Sequence, residues 1–473
     1  MGIYIGYRII LGVKTSMELI GEIPSGEVDH TLQRYGSIKN RKVNIGEKSI
    51  EMASPYFKQG LLGLTTYSSK RQYKLSVADR LLRHDNVDVN HRKFGGQCVA
   101  SYSVGEYMYC LVFKQSGRLK QELHLVDPYA LNTISYTEVE STAFPENFTD
   151  PRELAKVTGV YTYTDRHGKI IISGSNGHVR WYGTADGIIS LLADYHLQDM
   201  KFTAVIPDFN GNMWFTTRDG TVGVNCGNRY DYMVLQGETI EKSFSINKDG
   251  VAYVVSDKAL YAISYNNGEI KIKWRFHYDL PQSDIDGSHS EAIFKGSGTT
   301  PLLIGSELVV IADNSTPTYN ILFVDQKTGE LLSKVNTPFS LTQCSLVAYE
   351  DKSVITVNNS GYGTFINFHV KGSSPQPGVA LVDIDLGIRW VNNTVIPSTA
   401  LPLYCVHNDL LLLYTMNSDR IWSLTSLSGS SGDVIYNVPV GYGPDYDSHW
   451  SPILINDLGH IMIGTLTGLI TIM

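Results

Sequence analysis

Short apolar runs, separated by polar turns that end in glycine, recur along this chain of 473 residues. In segments 164–181, 207–224 and 455–472, a turn glycine is followed by an apolar run, and a second glycine stands nine residues after the first. The pairs are Gly168 and Gly177, Gly211 and Gly220, and Gly459 and Gly468. A fourth copy, at 246–263, has Gly250 and then an Asp-Lys turn. Since glycine permits tight turns and β-branched or aromatic residues favour strands, each segment is predicted to be a β-hairpin followed by a third strand.

Weaker strand–turn–strand patterns fill the gaps, around Gly105, Ser306, Asp351 and Asn408. Together the patterns have eight centres, at positions 105, 168, 211, 250, 306, 351, 408 and 459. A strand-rich period of about 40 to 60 residues without helical periodicity is typical of β-propellers. We therefore predict an all-β fold, a single β-propeller of eight four-stranded blades. A ring of seven blades, with one weak copy as an insertion, is the alternative.

The last copy stops at its third strand, "GLITIM". An unpaired outer edge invites aggregation, so a strand from the N-terminal part is expected to complete this blade. We divide the chain accordingly into an N-terminal segment, 1–95, that contributes the closing strand, and a propeller, 96–473. The segments 4–14 and 39–53 are the candidates for that strand.

Charge and cysteine content narrow the function classes. The formal net charge is -8 and no basic stripe offsets it, which argues against nucleic-acid binding. The five cysteines are scattered without a CxxC pair. Cys98 and Cys110 could form a hairpin disulfide, although free buried thiols are the favoured interpretation. The apolar start of the chain is too short to span a bilayer and has no basic region before it, so no transmembrane segment or signal peptide is predicted.

The stretch "GSGTTP" at 296–301 resembles a phosphate-binding loop. Such a loop needs a lysine after its glycines and a helix N-terminus to receive the anion, and neither follows here. We interpret it instead as the loop that leads into the innermost strand of a blade, "TPLLIG". Its glycines allow a sharp turn at the rim of the central channel.

Comparable loops precede the other innermost strands and carry polar or aromatic residues. Blade symmetry brings such loops to one mouth of the channel, where we predict a polar site for a small polar or aromatic molecule. The predicted ligand-binding residues are Thr299, Thr300, Asn358, Asn359, Tyr362, Ser448 and Trp450. Glu238 and His449 are the candidate acid–base groups, because a rim carboxylate and a histidine could share proton transfer. Asp313 and Asn358 could supply oxygen ligands to calcium, although both also suit ordinary turns.

Several blades carry partial forms of the tryptophan-docking motif of quinoprotein dehydrogenases, in which Asp, Thr-Gly and a following Trp join adjacent blades. "FVDQKTGELLS" has Asp325, Thr328 and Gly329 but Ser333 in place of the tryptophan, and "LVDIDLGIRW" has Asp383, Gly387 and Trp390. "ISYNNGEIKIKW" keeps Gly268 and a displaced Trp274. The chain thus resembles the quinoprotein-like propeller superfamily, whose architecture is similar to that of WD40 and YVTN propellers.

Over residues 200–473 the chain is similar to a family of mostly bacterial propeller proteins with pyrroloquinoline-quinone-like repeats. The resemblance rests on "PDFNGNMWF", "GSGTTPLLIG", "NNSGYG" and "YDSHWSPI" among other segments. It implies the fold and favours a secreted or periplasmic location, and it implies no activity. The quinone-dependent enzymes use a disulfide between adjacent cysteines, and the chain has no Cys-Cys pair, which argues against this cofactor.

Two functions follow. The favoured one is a ligand-binding or interaction propeller without catalysis, whose partner is a small molecule or a protein. The sequence has no nucleophile–base signature of an enzyme, which agrees with a binding function. The alternative is a propeller enzyme of the strictosidine-synthase or lactonase type, dependent on calcium or not. Truncating Tyr362 or Trp450 separates them, because a binding protein would lose its partner.

Overall fold

A computed structural model describes most of the chain. The described residues are 24–35, 87–104, 107–115, 118–142, 161–164, 168–174, 176–197, 200–226, 229–280, 295–362, 368–369, 372–448, 450–456 and 459–473. They form eight antiparallel sheets, each with the four strands of a propeller blade. The eight-bladed prediction is confirmed, and each predicted centre lies in the sequence between the first and second strands of one blade. The weak patterns around 105 and 408 are therefore true blades.

We number the blades 1 to 8, with the strands of each in sheet order from the innermost. The strands of the first four blades are Gln97–Val104, Tyr107–Gln115, Leu119–Val126 and Thr133–Thr142 in blade 1; Thr162–Thr164, Ile170–Ser173, His178–Ala185 and Ile188–His196 in blade 2; Phe202–Pro207, Met213–Thr217, Thr221–Cys226 and Arg229–Val234 in blade 3; and Ser245–Ile246, Ala252–Val255, Ala259–Asn266 and Glu269–His277 in blade 4.

The other four blades continue the same order. Their strands are Leu302–Ile304, Leu308–Ala312, Asn320–Asp325 and Leu331–Asn336 in blade 5; Val347–Tyr349, Ser353–Val357, Val379–Asp383 and Gly387–Asn392 in blade 6; Ile396–Pro397 with Leu403–Cys405, then Leu410–Met416, Ile421–Ser428 and Val434–Tyr442 in blade 7; and Ile453–Ile455, Ile461–Gly464, Gly468–Ile472 and Val89–Lys93 in blade 8. Short 3₁₀ turns occur at Val406–Asn408 and Pro444–Tyr446.

The N-terminal part of the chain supplies outer strands to the last two blades. Val89–Lys93 pairs antiparallel with Gly468–Ile472 and gives blade 8 its fourth strand. In blade 7, Gly26–Glu27 and Gln33–Arg34 pair with the outer strand. The candidate segments 4–14 and 39–53 lie outside the described residues. The division of the chain at residue 95 stays a prediction.

The inner three strands of the blades carry most of the core. Their second strands are almost wholly buried, as in Leu308–Ala312 and Leu410–Met416, whereas the outer strands alternate or face solvent. Because both faces of these strands are buried, their sequences are continuous apolar runs. Within the described part of the chain, no helix has the length and hydrophobicity that crossing a lipid bilayer requires.

The loop at 296–301 packs between blades. Leu302–Ile304 is the first strand of blade 5, as predicted. The Ser297 hydroxyl donates to the Ala312 carbonyl at 2.7 Å, and Ala312 N–H donates to Thr299 Oγ1 at 3.0 Å. A Cβ on Gly298 would lie 2.0 Å from the carbonyl oxygen of Thr342, in the loop before blade 6. Glycine is therefore needed here for close approach of two loops.

Tryptophans of the outer strands join neighbouring blades at two seams. Trp274 of blade 4 donates from Nε1 to the Gln326 carbonyl of blade 5 at 3.0 Å, and Trp390 of blade 6 donates to the Gly429 carbonyl of blade 7 at 2.9 Å. Each indole covers a turn glycine of the next blade. A Cβ on Gly329 would lie 2.6 Å from the Trp274 ring, and one on Gly432 would lie 2.6 Å from the Trp390 ring.

Candidate functional site

The inter-blade loops and the turns between second and third strands lie on one face of the ring, which we call the top face. On this face, some contacts join blades that are not neighbours. Tyr163 of blade 2 shares a hydrogen bond with Ser243, just before blade 4. The Tyr362 hydroxyl, after the second strand of blade 6, donates to Asp447, which precedes blade 8, at 2.8 Å. Groups separated by an intervening blade can meet only near the axis, so these loops converge there.

Predicted residues of blades 6 to 8 come together on the top face. The side-chain amide of Asn359 donates to the Ser398 carbonyl at 3.0 Å. The hydroxyls of Ser398 and Ser448 share a hydrogen bond at 3.2 Å, and the backbone N–H of Trp450 donates to Thr399 Oγ1 at 3.1 Å. Three successive blades thus contribute to one hydrogen-bonded cluster.

A carboxylate, a phenol and an imidazole form a second part of this cluster. Asp447 is buried and accepts the Tyr362 hydroxyl on Oδ1, while His369 Nε2 lies 2.7 Å from its Oδ2. Burial and the neighbouring Asp447 charge raise the pKa of Tyr362 far above the ordinary range. Tyr362 stacks on Phe368 with ring centroids 4.7 Å apart. The phenol is therefore held as a neutral donor to a buried carboxylate.

Lys242 and Cys344 also belong to this region and were missed from the sequence. Lys242 is only 6% exposed, and burial lowers its pKa to about 8, with Glu241 acting in the opposite direction. Burial raises the pKa of the Cys344 thiol to about 12, against the pull of the Lys242 charge. The Cys344 thiol donates to the Thr399 carbonyl at 3.2 Å. All five cysteines of the chain are free.

A positional signal could have found both residues. Lys242, Thr299, Cys344 and Trp450 each stand three residues before the first strand of a blade, which begins at Ser245, Leu302, Val347 or Ile453. Aligning the loops on the strand that follows, instead of on their glycines, brings these side chains into register. His369 and Asp447 carry no such repeat signal.

Trp450 adopts a backbone conformation that a bulky residue rarely takes. Its φ is 68°, in the left-handed region, and its side chain is half-buried. This conformation costs a non-glycine residue about 1–2 kcal/mol. The hydrogen bond to Thr399 helps to hold it. A partly buried aromatic residue thus has a strained backbone beside the polar cluster.

We expect Trp450→Gly to be more stable than Trp450→Ala by about 1 kcal/mol, because both variants lose the ring but only glycine relieves the left-handed backbone. Urea unfolding of the two variants measures this difference. Equal stabilities would mean that the backbone at 450 carries no strain.

Other predicted residues lie apart from the cluster. The Glu238 carboxylate, which is buried, accepts hydrogen bonds from Ser256 at 2.5 Å and from Tyr261 and Arg275 at 2.7 Å. All three partners belong to blade 4 or the turn after its second strand, so Glu238 ties the loop before this blade to its outer strands. His449 lies outside the described residues.

The remaining predicted residues have local contacts. Thr299 bonds within blade 5, and Thr300 beside it is buried. Asp313 accepts from the backbone of Ser315 at 3.0 Å and from the Asn320 amide at 2.7 Å. Asn358 donates to the Pro377 carbonyl at 3.1 Å. Across the described ranges, no group of three or more His, Cys, Asp or Glu side chains is arranged to hold a metal ion.

The residues of the top-face cluster differ in how much of their surface is exposed to solvent. Asn359 and Ser448 are 0% exposed and Tyr362 is 1% exposed. Trp450 is partly buried, whereas the His369 side chain is 5% exposed. The cluster is therefore a packed polar plug near the axis, and Trp450 is its more accessible member.

The sequence matches no family model. An uncharacterized protein of Archaeoglobus fulgidus is 22% identical over 390 residues, which cover 71% of this chain and 74% of that protein. Among solved structures, the Dos1 propeller has a TM-score of 0.50 at 7% identity, over 81% of this chain and 93% of its own.

Two further propellers have lower scores. Sqt1 of Chaetomium thermophilum has a TM-score of 0.49 at 11% identity, over 80% of this chain and 95% of its own. BamB of Moraxella catarrhalis has a TM-score of 0.43 at 13% identity, over 64% of this chain and 93% of its own. The comparison with the Dos1 propeller agrees with the sheet order, and at this identity what is shared is the β-propeller fold.

Proposed function

We propose that the protein is a binding propeller that holds a small polar or aromatic molecule on the top face, beside Trp450. The observation that carries this proposal is the strained, partly buried Trp450, whose backbone contacts Thr399 next to a cluster of hydroxyl, amide and carboxylate groups. Backbone strain in a bulky residue is retained where the surroundings enforce it, and such positions concentrate at ligand sites. An aromatic wall beside convergent polar groups is a common composition of small-molecule sites.

Several features fit binding better than turnover. The Glu238 carboxylate is engaged by Arg275 and Tyr261 in blade 4 and lies away from Trp450. Lys242 adds a buried positive charge near the axis, which favours a ligand with an acidic or strongly polar group. Membership of the quinoprotein-like repeat family belongs to the same proposal, and the tryptophan contacts at two seams support it.

One observation favours an enzyme as the second candidate. His369 and Asp447 form a pair at 2.7 Å, and a histidine oriented by a buried carboxylate is a common general base. In this reading, His369 would replace the predicted Glu238 and His449 as the proton-transfer group. Calcium gains no support, since the side-chain oxygens of Asp313 and Asn358 accept backbone N–H groups two residues later in the chain.

Native mass spectrometry of the protein isolated from its own source tests the proposal. We expect a bound small molecule that wild type retains and Trp450→Ala loses. Tyr232→Ala, at a position 54% exposed on the outer strand of blade 3, is the control and should retain it. Equal retention by both variants, or no bound mass in wild type, would contradict the proposal. Conversion of the retained molecule that stops in His369→Ala would favour the enzyme.

A further inference from the structure

The outer strands of several blades contain a β-bulge at an equivalent position, and the residue beside it differs between blades. In blade 4, Trp274 on the outer strand follows the bulge directly and pairs with Ala262 on the third strand. In blade 6, Trp390 has the same place and pairs with Leu381. These are the tryptophans that contact the next blade. In blade 2 the equivalent residue is Ala193, paired with Trp181, and in blade 5 it is Ser333, paired with Phe323. The seams after blades 2 and 5 therefore have no docking tryptophan at this position.

The seam between blades 2 and 3 contains a cavity at this level. Its volume is about 310 Å³, and its lining includes Ile171, Trp181 and Tyr195 of blade 2 and Met213, Phe215 and Asn225 of blade 3. Ile171 and Trp181 lie on the same row of paired residues as Ala193. Cavities of about 150 Å³ lined by apolar side chains bind benzene, so this one has room for a two-ring group.

One residue of the lining has an unpaired polar atom. Asn225 Oδ1 is buried and has no hydrogen-bond donor among the described residues. An amide oxygen left without a donor costs free energy, which a ligand N–H would recover. At the seams after blades 4 and 6, an indole N–H donates to a carbonyl oxygen at 3.0 Å or 2.9 Å. An indole in the cavity would find a similar acceptor in Asn225 once the amide turns toward it.

The outer strand of blade 2 makes the cavity accessible to another chain. Among the strands of the described residues it is the edge of its sheet, and Ile188, Leu191, Leu192 and Tyr195 on it are each at least 49% exposed. An exposed apolar edge strand is a template for pairing with a further strand. In blade 7, the corresponding edge is covered by Gly26–Glu27 and Gln33–Arg34 of this same chain.

We propose that the seam between blades 2 and 3 binds a tryptophan side chain of a partner protein, carried on an extended segment that pairs with Ile188–His196. The partner's indole fills the position that Trp274 and Trp390 fill from within the chain at the other seams. This surface is separate from the top-face cluster at Trp450, so the inference goes beyond the proposed function and does not rest on it.

Calorimetric titration with a capped pentapeptide, tryptophan at its centre and valine on either side, tests the inference. Ala193→Trp supplies the indole from within and should weaken peptide binding by at least about tenfold. Ser333→Trp is the matched control, because it adds a tryptophan to the seam after blade 5, where Gly387 has open space around it. This variant should bind the peptide as wild type does.

A second variant covers the case in which Ala193→Trp does not fold. A peptide with 1-methyltryptophan, which lacks the N–H, should bind wild type several-fold more weakly, and Asn225→Leu should abolish that discrimination. Peptide binding that Ala193→Trp and Asn225→Leu both leave unchanged would overturn the inference, and so would no binding to wild type. Free indole binding as tightly as the peptide would assign the cavity to a small molecule instead. A dimer that dissociates in Ala193→Trp would assign it to a second copy of this chain.

Discussion

Replacing Trp274 with alanine should lower the free energy of unfolding by about 3 kcal/mol, the low end for a large aromatic residue, because the indole is only partly buried. The variant loses the packing of the ring against Gly329 and leaves the Gln326 carbonyl without its indole donor. Trp274→Phe keeps most of the ring and loses the hydrogen bond, so it should cost about 1 kcal/mol. Urea unfolding followed by circular dichroism measures both.

A double-mutant cycle with Gly329 isolates the contact between the two blades. Gly329→Ala should destabilise strongly in the wild-type background, because its Cβ would lie 2.6 Å from the indole. In the Trp274→Ala background, only the cost of the left-handed backbone should remain, about 1 kcal/mol. Additive effects of the two changes would show that Trp274 and Gly329 do not touch.

The stability of wild type relative to Lys242→Met should rise with pH between about 8 and about 10.4. Burial lowers the pKa of Lys242 to about 8, whereas an exposed lysine titrates near 10.4. Below pH 8 the lysine is charged in both states, and folding carries the full cost of burying the charge. Above pH 8 the folded state releases the proton first, so the cost falls, by up to about 3 kcal/mol at pH 10.4.

Lys352→Met is the control for this experiment, because the hydrogen bond with Asp385 raises the pKa of Lys352. A lysine whose pKa is raised on folding contributes stability that is lost only as pH rises above the unfolded value near 10.4, so the stability of wild type relative to this variant should not rise between pH 7 and 10. The measurement is urea unfolding of the three proteins at pH 7, 8, 9 and 10. A difference between wild type and Lys242→Met that does not change with pH would show that the Lys242 ammonium is solvated.

The blades could be predicted because their signals are local. A turn glycine such as Gly211 or Gly459 and the apolar strand beside it lie within a few residues of each other, and both have positive φ in the structure. The closing strand Val89–Lys93 was not identified, because its sequence, VNHRK, is polar and its place follows from closure of the ring. Pairing with a strand at the opposite end of the chain leaves no pattern within the strand itself.

The candidate site could be predicted only in part, because some of its contacts join residues that are far apart in the chain. Loop position alone indicated Asn359, Ser448 and Trp450, since blade symmetry places such loops together. The partner of Tyr362 is Asp447, 85 residues away, and the contact skips a blade, so no repeat pattern indicates it. Glu238 was chosen for its loop, but its neighbour across blade 4, Arg275, draws the carboxylate outward.

A crystal structure of the protein isolated from its own source, without a denaturing step, tests the central claim most directly. The claim is that the top-face loops of blades 6 to 8 form a ligand site beside Trp450. We predict density for a small molecule against the Trp450 ring, within hydrogen-bonding distance of groups in the Ser398, Ser448 or His369 region. Density bound elsewhere on the ring, or a top face without bound density and with Trp450 in an ordinary backbone conformation, would contradict the account.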